Sequence, residues 1–166
     1  MKIGIIGCGN LGLSLVKGIV LNNPDQVVFA SKRNIDELTK LNLPNVHFTT
    51  SNAEVIQQSD IILIALKPYN ILPFLSEFAP LLNPEKHTLI SVATGISTEE
   101  MRATLGKNID LFRAMPNTAA AVNESITAIS FSSDELQRKN DVIELFGNLG
   151  ETVLIDESLM ESAPIL

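Results

Sequence analysis

The clearest chemical signal is the segment GCGNLG at residues 7–12, which separates an apolar run from a helical pattern of apolar residues. In this spacing, the first glycine permits a tight turn, the second admits a pyrophosphate, and the third allows close packing of helix on strand. The helix start offers unbonded amides and a partial positive charge. We therefore predict a dinucleotide phosphate site at Gly7, Gly9, Asn10, Leu11 and Gly12. Ordinary turn glycines are the alternative.

The residues after the second predicted strand, 26–30, indicate which dinucleotide binds. Sites selective for NAD have an acidic side chain there, about 20 residues after the glycines, that binds the ribose hydroxyls. This sequence instead has Ser31, Lys32 and Arg33. A hydroxyl and two cations suit a 2'-phosphate, because arginine offers a planar fork and lysine a point charge. We expect NADPH as the cofactor, with weaker binding of NADH; solvated loop charges are the alternative.

Short apolar runs alternate with helical patterns along the chain, as expected for buried parallel strands joined by helices. Strands are predicted over 2–6, 26–30, 46–49, 60–66, 88–93, 111–114, 126–131 and 152–155. Helices are predicted over about 11–21, 36–41, 52–58, 68–82 and 134–149, after a capping box at Ser97 and Glu100, and from Ser158 onward. The expected fold class is α/β, a doubly wound Rossmann-type sheet, mostly parallel, with helices on both faces. Ligands bind such sheets at the carboxyl ends of the strands.

Composition argues against several classes of function. The chain has 166 residues, enough for one well-cored domain, and a net charge of -7 with no basic cluster beyond Lys32 and Arg33. Nucleic acid is therefore not an expected partner. No apolar run approaches the roughly 20 residues that cross a bilayer, so we expect no membrane partner and a cytoplasmic protein. One cysteine and two histidines form no metal-ligand spacing, so no metal is expected.

Isolated reactive side chains are interpreted as structural. Cys8 is expected to pack beneath the glycine turn; a reactive thiol is the alternative, although the sequence places no base beside it. His47 lies in a predicted strand and His87 precedes another. Neither is accompanied by an acid or a nucleophile at a motif position, so we expect both to be structural or solvated.

Three later segments fall at the predicted ligand-binding edge. Lys67 follows the fourth strand as a candidate for the ribose or phosphate side of the cofactor, and Pro68 suits a first helical position. The small residues Ala93, Thr94 and Gly95 would let a flat nicotinamide ring approach the backbone. Met115, Pro116, Asn117 and Thr118 form a stiff loop with uncharged hydrogen-bonding groups, which suits a carboxamide or a small carboxylated imine. A structural lysine and plain turns are the alternatives.

Together with the glycine turn, these segments resemble the successive motifs of pyrroline-5-carboxylate reductases, in the same order and spacing. The matching residues are Asn52 with 58–60, ALKP at 65–68, SVATG at 91–95 and RAMPNT at 113–118, within a resemblance that covers residues 1 to about 162. It implies that Asn52, Ala65, Lys67, Pro68, Val92, Ala93 and Thr94 join the cofactor site. It also implies that Met115, Pro116, Asn117 and Thr118 lie on the nicotinamide or substrate side.

The implied reaction is hydride transfer from NADPH to the ring carbon of 1-pyrroline-5-carboxylate, a cyclic imine, which gives L-proline. The cofactor carries the hard chemistry, so the protein mainly orients the ring and excludes water, and the catalytic residue is unknown. Another NADP-dependent imine or hydroxyacid-type reductase, or a non-catalytic NADP-binding module, remains an alternative, because fold does not fix function.

Family members continue into a helical domain that forms the dimer and completes the substrate pocket. We therefore expect residues 1–156 to be the NADP-binding Rossmann domain and 157–166 to start the first helix of that second domain. The full-length protein is expected to be a homodimer or higher homo-oligomer. The chain alone is expected to have low or no activity, and to expose an apolar patch where the helices would dock.

Overall fold

The computed structural model describes residues 1–132 and 136–160, which contain eight strands and six α-helices. The strands are β1 (Ile3–Ile6), β2 (Val28–Ser31), β3 (Val46–Thr49), β4 (Ile61–Ile64), β5 (Thr88–Ser91), β6 (Asp110–Met115), β7 (Ser125–Phe131) and β8 (Gly150–Leu154). The helices are α1 (Asn10–Asn22), α2 (Asp36–Thr39), α3 (Asn52–Gln58), α4 (Pro68–Phe78), α5 (Thr98–Leu105) and α6 (Lys139–Gly147). Short 3-10 helices cover Ala79–Leu81 and Thr118–Val122.

The strands form one sheet in the order β3-β2-β1-β4-β5-β6-β7-β8. All neighbours are parallel except β6 and β7, which are antiparallel. The predicted doubly wound, mostly parallel α/β sheet is confirmed. The chain builds outward from β1 to β3 and then returns to place β4 on the other side of β1. This reversal is the topological switch point, where sheets of this kind bind ligands.

Register makes the carboxyl ends of the central strands level with one another. Ile6, the last residue of β1, pairs with Ser31 of β2 on one side and Ile64 of β4 on the other. Ile64 in turn pairs with Ser91, the last residue of β5. The turns that follow these four strands therefore meet along one edge of the sheet.

Apolar side chains cover both faces of the sheet. On one face, Leu15 of α1 and Phe146 of α6 pack in a cluster with Ile5. On the other, Ile71 of α4 packs in a cluster with Ile62. All four residues of β4 are buried, which explains why its sequence lacks the alternation of a half-exposed strand.

Several boundaries differ from the prediction. Helix α4 ends at Phe78 instead of continuing to 82, because Pro80 has no amide proton to continue the α-helical hydrogen bonds; Ala79 keeps a helical conformation, and the chain continues as the 3-10 helix Ala79–Leu81. Helix α6 begins at Lys139, and the predicted start at Asp134 lies outside the described residues. Of the helix predicted from Ser158, the described part is a short 3-10 turn, and residues 161–166 lie outside the description.

Two helix starts compare differently with the sequence-based prediction. The capping box of α5 is confirmed, since Glu100 N donates to Ser97 Oγ at 3.1 Å and Ser97 N donates to the Glu100 carboxylate at 3.3 Å. The 3-10 helix over Thr118–Val122 was not predicted. Its residues show no helical apolar period, and it depends on the Asn117 side chain, which accepts from Ala119 N at 3.0 Å.

Within residues 1–132 and 136–160, no helix combines the length and the apolar character needed to cross a bilayer. The same described residues contain no group of three or more His, Cys, Asp or Glu side chains that could hold a metal ion.

The two histidines have different environments. His87 is buried; its Nδ1 accepts from Asn83 N, and its Nε2 lies 2.9 Å from Ile56 O. Because Nδ1 accepts, Nε2 carries the proton and donates, so the ring is neutral and joins α3 to the loop before β5. Burial lowers the pKa of His87 from its usual value, although the hydrogen bond to Ile56 opposes this shift. His47 is exposed on β3 and stacks on Phe29. Both environments fit the structural or solvated roles expected.

We predict that the free energy of unfolding falls as the pH drops below the unfolded-state histidine pKa of about 6.5. The folded state holds His87 neutral, so the unfolded state binds more protons in this range, and stability present above that pH is lost on acidification. The loss is at most about 1.4 kcal/mol per pH unit. Urea unfolding between pH 7.5 and 5.5, roughly the histidine range, measures it in the wild type, His87→Gln and His47→Gln. The slope should persist in His47→Gln and flatten in His87→Gln; equal slopes in all three would contradict the assignment.

Candidate functional site

A groove of about 930 Å³ lies along the carboxyl edge of the sheet at the switch point. It is bordered by the turns after β1, β2, β4 and β5, by the start of α3, and by one side of α4. Fifteen of the residues singled out from the sequence line it: Gly7, Gly9, Asn10, Leu11, Ser31, Lys32, Arg33, Asn52, Ala65, Lys67, Pro68, Val92, Ala93, Thr94 and Thr118. The structure thus brings together residues as far apart in the sequence as Gly7 and Thr118.

The three glycines of the turn have three different surroundings. Gly7 has a φ of +87°, a conformation that favours glycine, and forms the tight turn. A Cβ at Gly12 would lie 2.7 Å from Gly7 O, so this glycine packs α1 against the turn and does not line the groove. A Cβ at Gly9 would meet no atom within 4 Å. The backbone at Gly9 therefore borders open space that a ligand could fill.

The first turn of α1 leaves amides available at the groove. No side chain caps this helix, and the first α1 amide with a backbone acceptor is Leu13 N, which donates to Gly9 O at 2.8 Å. The amides of Asn10 and Leu11 precede it at the groove wall. They carry the partial positive charge of the helix N-terminus, which favours an anion.

Cys8 packs under the turn and is not exposed to the groove. It is 1% exposed, and its amide donates to Ser31 O at 2.7 Å. Burial raises the pKa of its thiol to about 11, even though Lys32 opposes the shift. The thiol is therefore protonated at neutral pH, which fits the packing role and not that of a nucleophile.

A hydrogen bond joins two polar side chains at the end of β2. Ser31 Oγ donates to Asn52 Oδ1 at 2.6 Å, and Ser31 itself is buried. The Asn52 oxygen is thereby occupied, which orients its amide and leaves the NH2 group as the donor for a ligand. Lys32 and Arg33 follow on the exposed rim of the groove.

The groove concentrates positive charge in an acidic protein. Its lining includes the cations Lys32, Arg33 and Lys67, and one anion, Glu77. The whole chain has a net charge of -7. A local excess of cations within an otherwise negative surface, beside a helix N-terminus, favours a phosphate-bearing ligand at this place.

One wall of the groove comes from α4 and was not predicted from the sequence. The lining residues missed are Thr50, Leu66, Tyr69, Asn70, Pro73, Phe74, Glu77 and Phe78. Six of them recur in adjacent pairs four residues apart after Pro68, which places them on one face of the helix. That spacing was visible in the sequence. It could have identified the wall, because a helix that starts at the ligand-binding edge must turn one face toward it.

The segment after β5 reaches the far part of the groove. Val92 N donates to Ile64 O at 3.2 Å, which extends the β4–β5 pairing by one residue, and Val92 and Ala93 are buried. Thr94 is exposed, and Gly95 has a φ of +81° with open space beside it. Small side chains thus form this part of the wall.

The loop after β6 contributes less to the groove than expected. Of Met115, Pro116, Asn117 and Thr118, only Thr118 lines it among the described residues. Met115 ends β6, and the Asn117 side-chain oxygen accepts from Ala119 N and so caps the following 3-10 helix. The hydrogen bond between the Asn117 side-chain oxygen and the backbone amide of Ala119 was not predicted from the sequence.

The sequence of the chain is similar to those of known pyrroline-5-carboxylate reductases. Pyrroline-5-carboxylate reductase of Escherichia coli (strain K12) is 31% identical over 164 residues, which cover 96% of this chain and 60% of that protein. Pyrroline-5-carboxylate reductase 2 of Dictyostelium discoideum is 33% identical, with 99% of this chain and 61% of that protein covered. The chain therefore spans less than two thirds of the length of these relatives.

Comparison of structures agrees. A pyrroline-5-carboxylate reductase from Coxiella burnetii has a TM-score of 0.89 and 28% sequence identity, with 99% of this chain and 63% of that chain covered.

The family model described as "NADP oxidoreductase coenzyme F420-dependent" matches residues 2–95, which is more than half of the 166-residue chain. The chain therefore belongs to this family of NADP oxidoreductases and resembles pyrroline-5-carboxylate reductases over nearly its whole length.

Proposed function

We propose that the groove binds NADP(H) and that the chain is the cofactor-binding part of a cytoplasmic reductase that converts 1-pyrroline-5-carboxylate to L-proline. The cofactor assignment rests on one observation, which is that three features suited to phosphate binding border the same groove. The uncapped start of α1, the open space beside Gly9, and the cations Lys32 and Arg33 all border it. An anion-binding helix end next to two cations fits a dinucleotide with an additional phosphate.

Each part of the lining has a proposed role. The backbone at Gly9, Asn10 and Leu11 holds the pyrophosphate, since these amides lie at the start of α1. Lys32 and Arg33 bind the 2'-phosphate, and the NH2 group of Asn52, oriented by Ser31, donates on the same side. Lys67 and Pro68, with Ala65, border the ribose side. Gly12 contributes through packing, because it sets how closely α1 approaches the turn.

The far end of the groove receives the nicotinamide. Bound NADPH supplies the hydride that reduces the imine carbon. Val92, Ala93 and Thr94 offer a wall of small side chains against which a flat ring can lie. Thr118, with Met115, Pro116 and Asn117 behind it, faces the substrate side with uncharged groups that orient the imine and keep water away.

The substrate assignment rests on the similarity to pyrroline-5-carboxylate reductases, and the relatives are longer than this chain. We propose that residues 1–156 form the NADP-binding domain and that 157–166 begin a second, helical domain that completes the substrate pocket and forms a homodimer or larger homo-oligomer. Glu157 forms an ion pair with Arg113 of β6, which ties the start of this segment to the sheet.

The chain should bind NADPH more tightly than NADH, because only NADPH carries the phosphate that Lys32 and Arg33 would bind. Arg33→Gln should weaken NADPH binding by about tenfold, the equivalent of one charge-assisted contact, and leave NADH binding unchanged. Calorimetric titration measures both, with Lys17→Gln on the exposed side of α1 as the matched control. If the wild type bound neither nucleotide, the proposed function would be wrong.

Gly9 and Gly12 should fail in different ways when changed to alanine. Gly9→Ala should keep wild-type stability, since its Cβ meets no atom within 4 Å. It should place a methyl group in the groove and therefore weaken the binding of both NADPH and NADH. Gly12→Ala should lose roughly 1–3 kcal/mol of unfolding free energy through overpacking. Thermal unfolding and titration separate the two effects. Gly147→Ala, which is also uncrowded but lies outside the groove, is the control for both.

The chain by itself should bind NADPH without sustained oxidation of it when 1-pyrroline-5-carboxylate is added. The part of the pocket that holds the substrate carboxylate is proposed to lie in the second domain. Nicotinamide absorbance followed over time measures turnover. Turnover at the rate of an intact pyrroline-5-carboxylate reductase would show that this chain carries the whole catalytic site.

A further inference from the structure

A buried ion pair lies beside the far end of the groove and has no part in the roles assigned so far. Arg113 Nη1 is 3.0 Å from Glu157 Oε1, and the Arg113 side chain is 3% exposed. Arg113 lies in the middle of β6, where it pairs with Ser91 of β5 and Ser130 of β7. Glu157 comes from the segment after β8. A charge buried so completely within a sheet requires a counter-charge, and Glu157 supplies one.

The Glu157 carboxylate connects three elements of the fold. Besides Arg113 of β6, it accepts from Ser130 Oγ of β7 and from Thr98 N at the start of α5, each at 3.0 Å. Burial alone raises the pKa of Glu157, but the hydrogen bonds from Thr98, Arg113 and Ser130 outweigh it, and the pKa lies below its usual value. The carboxylate is therefore charged at neutral pH, and its charge also suits the N-terminus of α5.

Two of these elements lead directly to the nicotinamide side of the groove. The segment between β5 and α5 carries Val92, Ala93 and Thr94, and its far end is fixed where Glu157 binds Thr98 N. Strand β6 continues two residues beyond Arg113 to Met115, and Thr118 follows at the groove. One carboxylate thus anchors the segments that border this end from both sides.

We propose that Glu157 is a positioning residue for the nicotinamide side of the groove, which it shapes by fixing the 92–97 segment relative to the loop after β6. The inference rests on the proposed NADP(H) site. It also implies that Glu157, in the segment after β8, acts on the cofactor site without lining the groove. The adenosine side, built from the turns after β1 and β2, is independent of Glu157, because the contacts of that carboxylate with described residues are with Arg113, Ser130 and Thr98, away from those turns.

A split between two ligands distinguishes positioning from a general effect on the fold. NADPH spans the whole groove, whereas adenosine 2',5'-bisphosphate carries the same 2'-phosphate and ends before the nicotinamide. In Glu157→Gln, NADPH should bind about tenfold more weakly, because the released 92–97 segment has to be ordered again when the nicotinamide binds. Adenosine 2',5'-bisphosphate should bind as it does to the wild type. The control is Glu151→Gln, which removes an exposed carboxylate on β8 and should change neither ligand.

Each outcome of these titrations has a meaning. Unchanged NADPH binding by Glu157→Gln, or equal weakening of both ligands, overturns the positioning role. If Glu157→Gln does not fold, Ser130→Ala removes one contact of the carboxylate while leaving the ion pair. It should show the same selective loss for NADPH to a smaller degree, and wild-type binding of NADPH by Ser130→Ala would then overturn the proposal. Failure of the wild type to bind either ligand would instead overturn the proposed function.

Discussion

The close approach of α1 to the turn after β1 is the constraint on which the groove depends. Gly12 has no room for a side chain because a Cβ there would lie only 2.7 Å from Gly7 O. This contact aims the start of α1 along the carboxyl edge of the sheet. Cys8, packed beneath the turn, fills the space under it. A larger residue at position 12 would lift the helix end away from the edge, and its amides would no longer converge with the residues after β2.

Electrostatics adds selectivity to that geometry. Lys32 and Arg33 stand where an acidic residue would otherwise meet ribose hydroxyls, and they do so in a protein of net charge -7. These two cations and the N-terminus of α1 border the same groove, so positive potential is concentrated there and not spread over the surface. On the far side, Arg113 and Glu157 neutralise each other inside the fold, so this pair shapes the wall without adding net charge to it.

Much of this arrangement could be predicted from the sequence, since it depends on local patterns. The glycine spacing, the apolar run of β4 and the capping box of α5 each have a short-range physical cause. Prediction from the sequence was less complete where contacts between residues distant in the chain determine the structure. Asn117 was predicted on the substrate side, and the additional role of its side-chain oxygen in capping a 3-10 helix was not predicted. Nor did the sequence indicate that Glu157 would return to pair with Arg113, which lies 44 residues earlier.

The end of α4 and the side of this helix that borders the groove both have local causes in the sequence. Pro80 has no amide proton for the next α-helical hydrogen bond, and the paired spacing after Pro68 marks the face that borders the groove. Both follow from the sequence once the start of α4 is placed at the ligand-binding edge.

The central claim is that NADPH lies along the carboxyl edge of the sheet at the switch point between β1 and β4. Amide hydrogen exchange with and without NADPH tests it most directly, because exchange locates a ligand on the backbone. The account predicts slower exchange in residues 9–12, 31–34 and 92–95, with the strands of the core unchanged. Protection confined to another surface, or none in the presence of saturating NADPH, would contradict it.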